Sequence, residues 1–568
     1  MTLVDSPIVP LPAGLARRLM AWSIVWRSQA ASLGDIGSGA DSIYQLNEGN
    51  WQWKGLLDQQ EAVLGPRVPA GDLVGVPQAA VLRGLLRQIH ARVLSSYRFF
   101  GLMSRVHPGR YRFVLAAPRG LRRAFVERGL PIDLRWSALL WAACKCLLVA
   151  HAASVLLRRG IGMLLRTMGR PVANGRPILW LGLSAGELNF APGEMNALDF
   201  ARTGRYPLFG ERLPLFVAAP WLAEPKRLDD VNAVLCADPV LEMSRGHFRA
   251  ADVVRLVVDS CAVGARVLRD AFREDGMFLL LAREYAELPL MRAWFPRVRP
   301  RAVLMTNSMH SSHPLWIAYA AEHQCEVAML FYATNVLPLY LRGGRDPFPG
   351  DPGYRLLECS KFEVWNESQK QWLLSLGIPE SRINIAGIIV WGRDEQLAHR
   401  HDPSRVSGDR PFRLGLFDVV PPSVVGLLPH GAGDNYYSCE RMMKLLRDVV
   451  ETAAALPGQV PEVVVKPKRA RIALHDGRYF DLLDDLVRAG QVKVGLLPTN
   501  PIEAVAACDM VISAPFSSPS VIAAEMRIPS CFYDPVSLLE APPTFTGEVP
   551  LVSGQNQLQQ WMRQWSRA

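Results

Sequence analysis

Two textures divide the chain. Up to about residue 170 apolar positions recur at helical spacing, over 79–102 and again through the 22-residue run 136–157, so this part is expected to be mainly helical. Beyond Gly169 short apolar runs alternate with longer amphipathic ones, the pattern of βαβ units around a parallel sheet. The first half of this stretch predicts strands at 177–183, 213–219, 231–236, 302–305, 326–331, 362–365 and 383–389, with helices at 250–272, 314–323 and 367–376. The second half predicts strands at 412–417, 462–466, 492–495, 510–513 and 530–533. Its helices are expected at 438–455, 479–489, 502–508 and 519–526. Between the halves lies HRHDPSRVSGDR, residues 399–410, a polar stretch with Pro and Gly that reads as an inter-domain linker.

The pattern sets an α/β expectation: two facing Rossmann-like domains with a helical N-terminal region. Residues 1–170 form the helical region, 171–400 an acceptor-side domain, 411–545 a donor-side domain and 546–568 a C-terminal helix. A chain of 568 residues is too long for one core, which agrees with this division. Open α/β sheets bind ligands in the crevice beyond the carboxyl ends of their strands. Function is therefore expected on the loops that follow those strands.

Charge changes the picture only at the N-terminal end. Residues 1–170 hold 22 Lys/Arg against 9 Asp/Glu, a net of +13, while the whole chain carries +10, so the remainder is slightly acidic. No helix-turn-helix, zinc or aromatic RNA motif accompanies the excess, so nucleic acid is not an expected partner. An anionic membrane surface and a plain solvated surface remain as readings. The run 136–157 is long enough to span a bilayer, but Lys145 near its centre would cost about 2.5–3.5 kcal/mol there. Peripheral attachment is expected, with a buried core helix as the alternative. The opening residues lack the order of a secretory signal, and the nine cysteines include no CxxC pair. Both point to the cytoplasm, on the inner face of the membrane, and the cysteines read as small buried hydrophobes.

Four constellations carry candidate chemistry. In the first, strand 510–513 feeds Ala514-Pro515-Phe516 and then Ser517-Ser518-Pro519. Serine followed by proline is a helix-start signal, and the free N–H groups of such a start suit a phosphate. In the second, strand 462–466 delivers Lys466, Lys468 and Arg469 to its carboxyl end, where cations would neutralise a leaving phosphate; His475 follows. The third is the Gly-rich turn Gly182-Leu-Ser184-Ala-Gly-Glu187, which places Glu187 as general base for an acceptor hydroxyl, with Glu194 in reserve. The fourth, Thr306-Asn307-Ser308-Met-His310-Ser-Ser-His313, offers hydroxyls and two histidines to the cleft. No carboxylate or cysteine completes a metal set there, so no metal is expected. Asp418 and the loop 431–437, with Tyr436 placed to stack on a base, complete the second domain's side.

Pro515-Phe516-Ser517-Ser518 resembles the signature of the polysaccharide biosynthesis proteins named for a Pro-Phe-Thr-Ser motif, with Ser in place of Thr. More broadly, the second half is similar to the C-terminal domain of GT-B glycosyltransferases, closing on a helix, Ile528-Pro529 and a strand. In the sialic-acid and Kdo transferases of that fold a paired-serine helix start holds the nucleotide phosphate. The resemblance thus implies donor binding by Ser517 and Ser518, and Lys466-Pro467 stands where those enzymes carry His-Pro. Many GT-B enzymes place a ribose-binding Glu seven residues before the Pro; this chain has Ile522 there, which favours a CMP-activated acid sugar such as Kdo or a nonulosonate over a UDP-sugar. The expected activity is sugar transfer from a nucleotide donor to a growing surface polysaccharide, with a glycan or glycolipid acceptor and no cofactor. The alternatives are a CDP-polyol phosphotransferase and a non-catalytic, membrane-attached scaffold of a capsule assembly complex.

Overall fold

The computed structural model describes residues 2–5, 24–26, 60–65, 74–106, 108–166, 175–190, 195–204, 206–273, 275–334, 339–343, 352–391, 411–423, 436–457, 460–469, 471–472, 474–495, 500–541 and 549–565. The expected linker 399–410, Glu194 and most of the loop 431–437 lie outside these residues. Seventeen strands form three sheets among the described residues.

The first large sheet contains β4 (Ile178–Leu181), β5 (Leu215–Ala218), β6 (Lys226–Leu228), β7 (Ala233–Cys236), β8 (Ala302–Thr306), β9 (Glu326–Leu330), β10 (Lys361–Val364) and β11 (Ile383–Ile385). Its spatial order is β11-β10-β9-β8-β4-β5-β7-β6, with only β6 antiparallel, on β7. The second sheet holds β12 (Arg413–Phe417), β13 (Glu462–Lys466), β14 (Lys493–Val494), β15 (Met510–Ser513), β16 (Ser530–Asp534) and β17 (Leu551–Ser553). All its pairings are parallel, in the order β14-β13-β12-β15-β16-β17. Counting parallel strands along the chain, both sheets read 3-2-1-4-5-6, with one further strand in the first. This is the doubly wound Rossmann order, and it puts a topological switch point between β4 and β8 and another between β12 and β15.

The strands read as near-continuous apolar runs because both faces of each sheet are covered. In β4 the alternation sends Leu179 into one apolar cluster, and Ile178 and Trp180 into another on the opposite face. The Leu179 side is covered by the N-terminal helices α1 (Gln78–Gln88) and α2 (Leu94–Val106), joined by a π turn at Ile89–Val93, by α3 (Arg119–Glu127), and by α4 (Leu134–Arg166), α5 (Ala250–Phe272) and α6 (Ala282–Val298). The Trp180 side meets the 388–391 segment, and through it Phe417, Val511 and Ile522 of the second half, so the two sheets share one continuous core.

Three differences from the expectation have physical causes. The N-terminal region is helical but also holds a small parallel sheet, β2 (Ile24–Trp26), β1 (Thr2–Asp5) and β3 (Arg112–Leu115), in which single short strands leave no alternation to read. The mostly buried helix α6 scatters Arg283, Glu284, Glu287, Arg292 and Arg297 among its apolar residues and carries Pro289 and Pro296, so neither a stripe nor a clean run announces it. Residues expected as a lone C-terminal helix begin with β17, which pairs with β16, before α11 (Gly554–Trp565) buries Leu558 and Met562 against the second sheet. The remaining helices used below are α7 (Glu367–Ser375), α8 (Cys439–Ala454), α9 (Gly477–Arg488) and α10 (Ser518–Glu525).

Candidate functional site

The two switch points select four loops, following β4, β8, β12 and β15, and each carries residues singled out from the sequence. Strand β4 is followed by Gly182, whose φ of +86° favours glycine. A Cβ there would lie 2.4 Å from Met309 Cγ and 2.6 Å from Thr306 Oγ1, so only glycine lets the β4 and β8 loops approach this closely. The next turn, Ala185–Glu187, closes on itself: Glu187 Oε2 accepts from the Ser184 N–H and from its hydroxyl, each at 2.7 Å. Oε1 accepts from the Trp391 indole N–H at 3.1 Å. Tyr332, after β9, lies close to Glu187; burial and then this carboxylate push its phenol up to about 12. Glu187 is therefore buried and surrounded by donors, at the carboxyl end of the central strand.

Beside it, Thr306 Oγ1 donates to the Gly182 carbonyl at 2.8 Å and meets Ser308 Oγ at 2.6 Å, while Asn307 Oδ1 accepts from the Tyr332 N–H at 3.3 Å. The histidines of this loop face elsewhere. His310 stacks on Tyr354 at 5.0 Å and its Nδ1 lies 3.1 Å from the Asn307 carbonyl. His313 is fully buried; its Nε2 accepts from the Glu358 N–H at 3.3 Å, and burial, then Arg87 and Arg83, hold its imidazole well below the ordinary range. The structure thus takes His313 out of the cleft group, because the chain turns inward toward α1 after Ser312.

Across the crevice, Asp418 follows β12 and is the residue on which the basic loop hangs. Its Oδ1 accepts from the Lys468 N–H at 2.8 Å and its Oδ2 from the Tyr479 hydroxyl of α9. Burial raises its carboxyl to about 6 against the pull of these bonds and of Lys466 and Lys468. Lys466 lies at the end of β13, its ammonium lowered by burial and partly restored by Asp418. At Lys468, crowding by the surrounding protein and then the Arg469 guanidinium bring the ammonium down to about 8, though solvent still reaches the side chain. Arg469 is exposed and close enough to the first half for its charge to act on Tyr332. His475 packs on Phe480 with centroids 6.1 Å apart, where the 421–423 and 474–476 segments run side by side.

The Pro515-Phe516-Ser517-Ser518 turn forms the fourth loop. Phe516 sits at φ +57°, a left-handed conformation rare for a bulky residue, and is held by burial against Phe532. Ser517 is the N-cap of α10, yet its hydroxyl donates back to the Ala514 carbonyl at 2.8 Å and caps nothing in the helix. Ser518 Oγ accepts from the Thr334 N–H at 3.1 Å, and the Thr334 hydroxyl donates to the Phe516 carbonyl at 3.2 Å. This turn is therefore bonded to the loop after β9 of the other sheet. Buried Ser520 ties the helix down through Ser513 and the Cys531 carbonyl.

Tyr436 is corrected: it is 1% exposed, bonds Asp534 through its hydroxyl at 2.7 Å, and has no face open to a base. Ile522 is wholly buried between the sheets. Sequence reasoning passed over Thr334, Tyr332 and Trp391, which join the loops. Their one signal is position, on or near the segments that follow β9 and β11. Among the described residues no three His, Cys, Asp or Glu side chains gather as a metal-holding set.

Comparison with known proteins places the chain in a family. No curated protein matches the sequence. Similar solved structures include a glycosyltransferase from Rickettsia africae ESF-5, at 12% identity over 69% of this chain and 89% of that one, with a TM-score of 0.36. HepE of Anabaena in complex with UDP is similar at 12% identity, 69% and 90% coverage and a TM-score of 0.35. The wall teichoic acid polymerase TagF is similar at 10% identity, 75% and 89% coverage and a TM-score of 0.37. The fold assignment stands on the strand order of this chain itself. A family model covers residues 271–562, which include the β8, β12, β13 and β15 loops and leave Glu187 outside. On that match, the chain belongs to the family of polysaccharide biosynthesis PFTS motif proteins.

Proposed function

We propose that the protein is a nucleotide-sugar-dependent glycosyltransferase that extends a surface polysaccharide, and that its donor is a CMP-linked acid sugar. The observation that carries this reading is the convergence of both switch points on one crevice. A carboxylate stands on one wall, and lysines whose ammonium groups are lowered by burial stand on the other. Such lysines, with the start of α10, suit the phosphate that leaves as the sugar bond breaks. Glu187 on the opposite wall then takes the proton of the acceptor hydroxyl. The new glycosidic bond forms at the anomeric carbon, and the bond to the nucleotide phosphate breaks with its electron pair leaving on the phosphate. Electrostatic stabilisation by lysines and helix start needs no metal in this scheme. Ile522 supports the choice of nucleotide, because a buried isoleucine offers no carboxylate to a ribose.

A thermal-shift comparison of CMP, CDP, UDP and GDP tests the donor class. A nucleotide held at 100 times its dissociation constant stabilises by about 2.7 kcal/mol, so CMP is expected to give the largest shift. A response to UDP alone would overturn the CMP assignment. Turnover with a CDP-polyol, leaving a phosphodiester in the product, would replace sugar transfer by polyol-phosphate transfer. Nucleotide binding with no turnover on any acceptor would leave the scaffold reading.

A further inference from the structure

More than half of the strongly exposed large apolar side chains among the described residues lie on two helices, α4 and α5. On α4 these include Trp136 at 63% exposure and Leu165 at 75%, with Leu139, Leu147 and Leu157 between them. On α5, Val254 is 64% exposed and Phe272 88%, with Val257, Val258 and Leu268 on the same side. The helices are neighbours: the Lys145 ammonium of α4 donates to the carbonyls of Ala271, at 2.9 Å, and Arg273, at 3.2 Å, at the end of α5. Exposed apolar surface concentrated in this way marks an interaction face.

The charges on that face have one sign. Helix α4 contains no acidic residue at all. The three aspartates of α5 turn inward, Asp252 to Arg297 at 2.9 Å, Asp259 to Arg292 at 3.0 Å and Asp270 to Arg266 at 2.9 Å. The exposed charged groups that remain are Arg135, Arg158 and Arg269; Arg255 and Arg273 are exposed too, within 3.9 Å of Asp259 and 3.6 Å of Asp270. A second copy of the chain seated by twofold symmetry would set these arginines against one another, since the carboxylates of α5 are already held by arginines of their own chain. An anionic surface receives all of them.

Among the described residues the helix α4 alone is long and apolar enough to cross a bilayer. Yet its other side belongs to the protein core, through Trp141, Cys144, Leu148, Ala152, Val155 and Met163. Crossing would drag α5 and α6 with it. At about 1.5 Å per residue its 33 residues run to about 50 Å, well beyond the bilayer's apolar thickness of about 30 Å, so the helix fits along the surface.

We infer that α4 and α5 together form a docking face that lies in the plane of an anionic phospholipid membrane. Their apolar side chains enter the headgroup boundary and the arginines reach the phosphates. The inference is independent of the transfer reading, since it rests on residues outside the switch-point loops and its test reads no catalysis.

The two exposed cysteines of the chain, Cys146 on α4 and Cys261 on α5, lie on this face and serve as probes. The full chain, labelled there with an environment-sensitive dye, is mixed with vesicles of phosphatidylcholine alone or with phosphatidylglycerol added, and unlabelled protein is co-sedimented in parallel. The expected result is a blue shift and sedimentation only with phosphatidylglycerol, weakening as salt shortens the screening length to about 8 Å and below. Val254→Asp/Val258→Asp and Leu139→Asp/Leu147→Asp, each at solvent-exposed positions, are each expected to lower the vesicle partition about tenfold or more. If either pair lowers the melting temperature, the corresponding serine pair takes its place. Wild-type binding by these variants, or equal binding to neutral vesicles at high salt, overturns the inference. So does a dimer in solution that the valine pair dissociates while vesicles bind nothing; that result would make a second copy the occupant.

Discussion

At the crevice of the first sheet the chain sets a carboxylate wrapped in donors: Ser184 and Trp391 donate to Glu187, and Tyr332 lies close to it. At the same place in the second sheet it sets a carboxylate that is itself the wrapping, since Asp418 holds the Lys468 backbone and the Tyr479 hydroxyl and leaves the ammonium groups outward. The strand order is the same in both. The left-handed turn residue differs: glycine after β4, where two loops nearly touch, and phenylalanine after β15, where a ring fills a pocket against Phe532. A bulky residue in that conformation costs on the order of 1–3 kcal/mol, and strain of this kind clusters where a loop must hold one shape. One backbone plan thus carries a carboxylate wrapped in donors on one wall and a carboxylate that holds a basic loop on the other, and the loops alone make the difference.

The largest expected effect comes from removing the difference on the acidic side. Glu187→Gln keeps the size of the side chain and removes the proton acceptor, so turnover is expected to fall by about 10²–10⁴-fold while the nucleotide dissociation constant stays put. Binding by calorimetry beside a transfer assay reads both. Near-wild-type turnover would reduce Glu187 to a clasp for Ser184 and Trp391.

A smaller effect sharpens the basic side. With its ammonium at about 8, Lys468 is cationic at neutral pH and loses its charge as pH rises through that value. A bound phosphate favours the charged form and raises its pKa. Nucleotide affinity is therefore expected to be flat below pH 8 and to drop by up to about tenfold per pH unit above it. Lys468→Met should weaken binding at neutral pH by about 1.5–3 kcal/mol and flatten that slope. An unchanged slope would move the phosphate contact to Lys466 or Arg469.

The smallest concerns the bond between the two sides. Thr334→Val removes the hydroxyl that reaches the Phe516 carbonyl and keeps the side-chain shape, so a loss of about 0.5–1.5 kcal/mol is expected in denaturant unfolding. An unmoved midpoint would mean that this hydroxyl adds nothing to what the Thr334 N–H bond and the shared apolar core already hold together.

The legible parts of the molecule were those with period and length. Strands β13 and β15 and helix α5 have the bounds their patterns predict, because each is an uninterrupted run closed by a turn or a cap. The loops after the two strands could be located before any distance was known, by the rule that ligands bind beyond the carboxyl ends of strands. What a pattern cannot carry is direction. His310 and His313 stand three residues apart in one loop, yet one stacks at its rim and the other enters the core beside Arg87. Tyr436 and Tyr437 look interchangeable, but the first is sealed over Asp534 and the second reaches the Pro515 carbonyl. Trp391 was unreadable for another reason: it meets Glu187 across 204 residues of chain, and such a pairing leaves no trace in local spacing.

The last strand has a consequence for the life of the chain after synthesis. Strand β16 is buried along all five of its residues, and β17 is what occupies its outer hydrogen-bonding side. Proteolytic clipping ahead of residue 549 would strip β17 and α11 together and bare an apolar edge, with Cys531 and Tyr533 newly wetted. An edge of that kind templates pairing between molecules. The clipped protein would then leave solution by aggregation while most of its core, and the crevice between its sheets, was still folded.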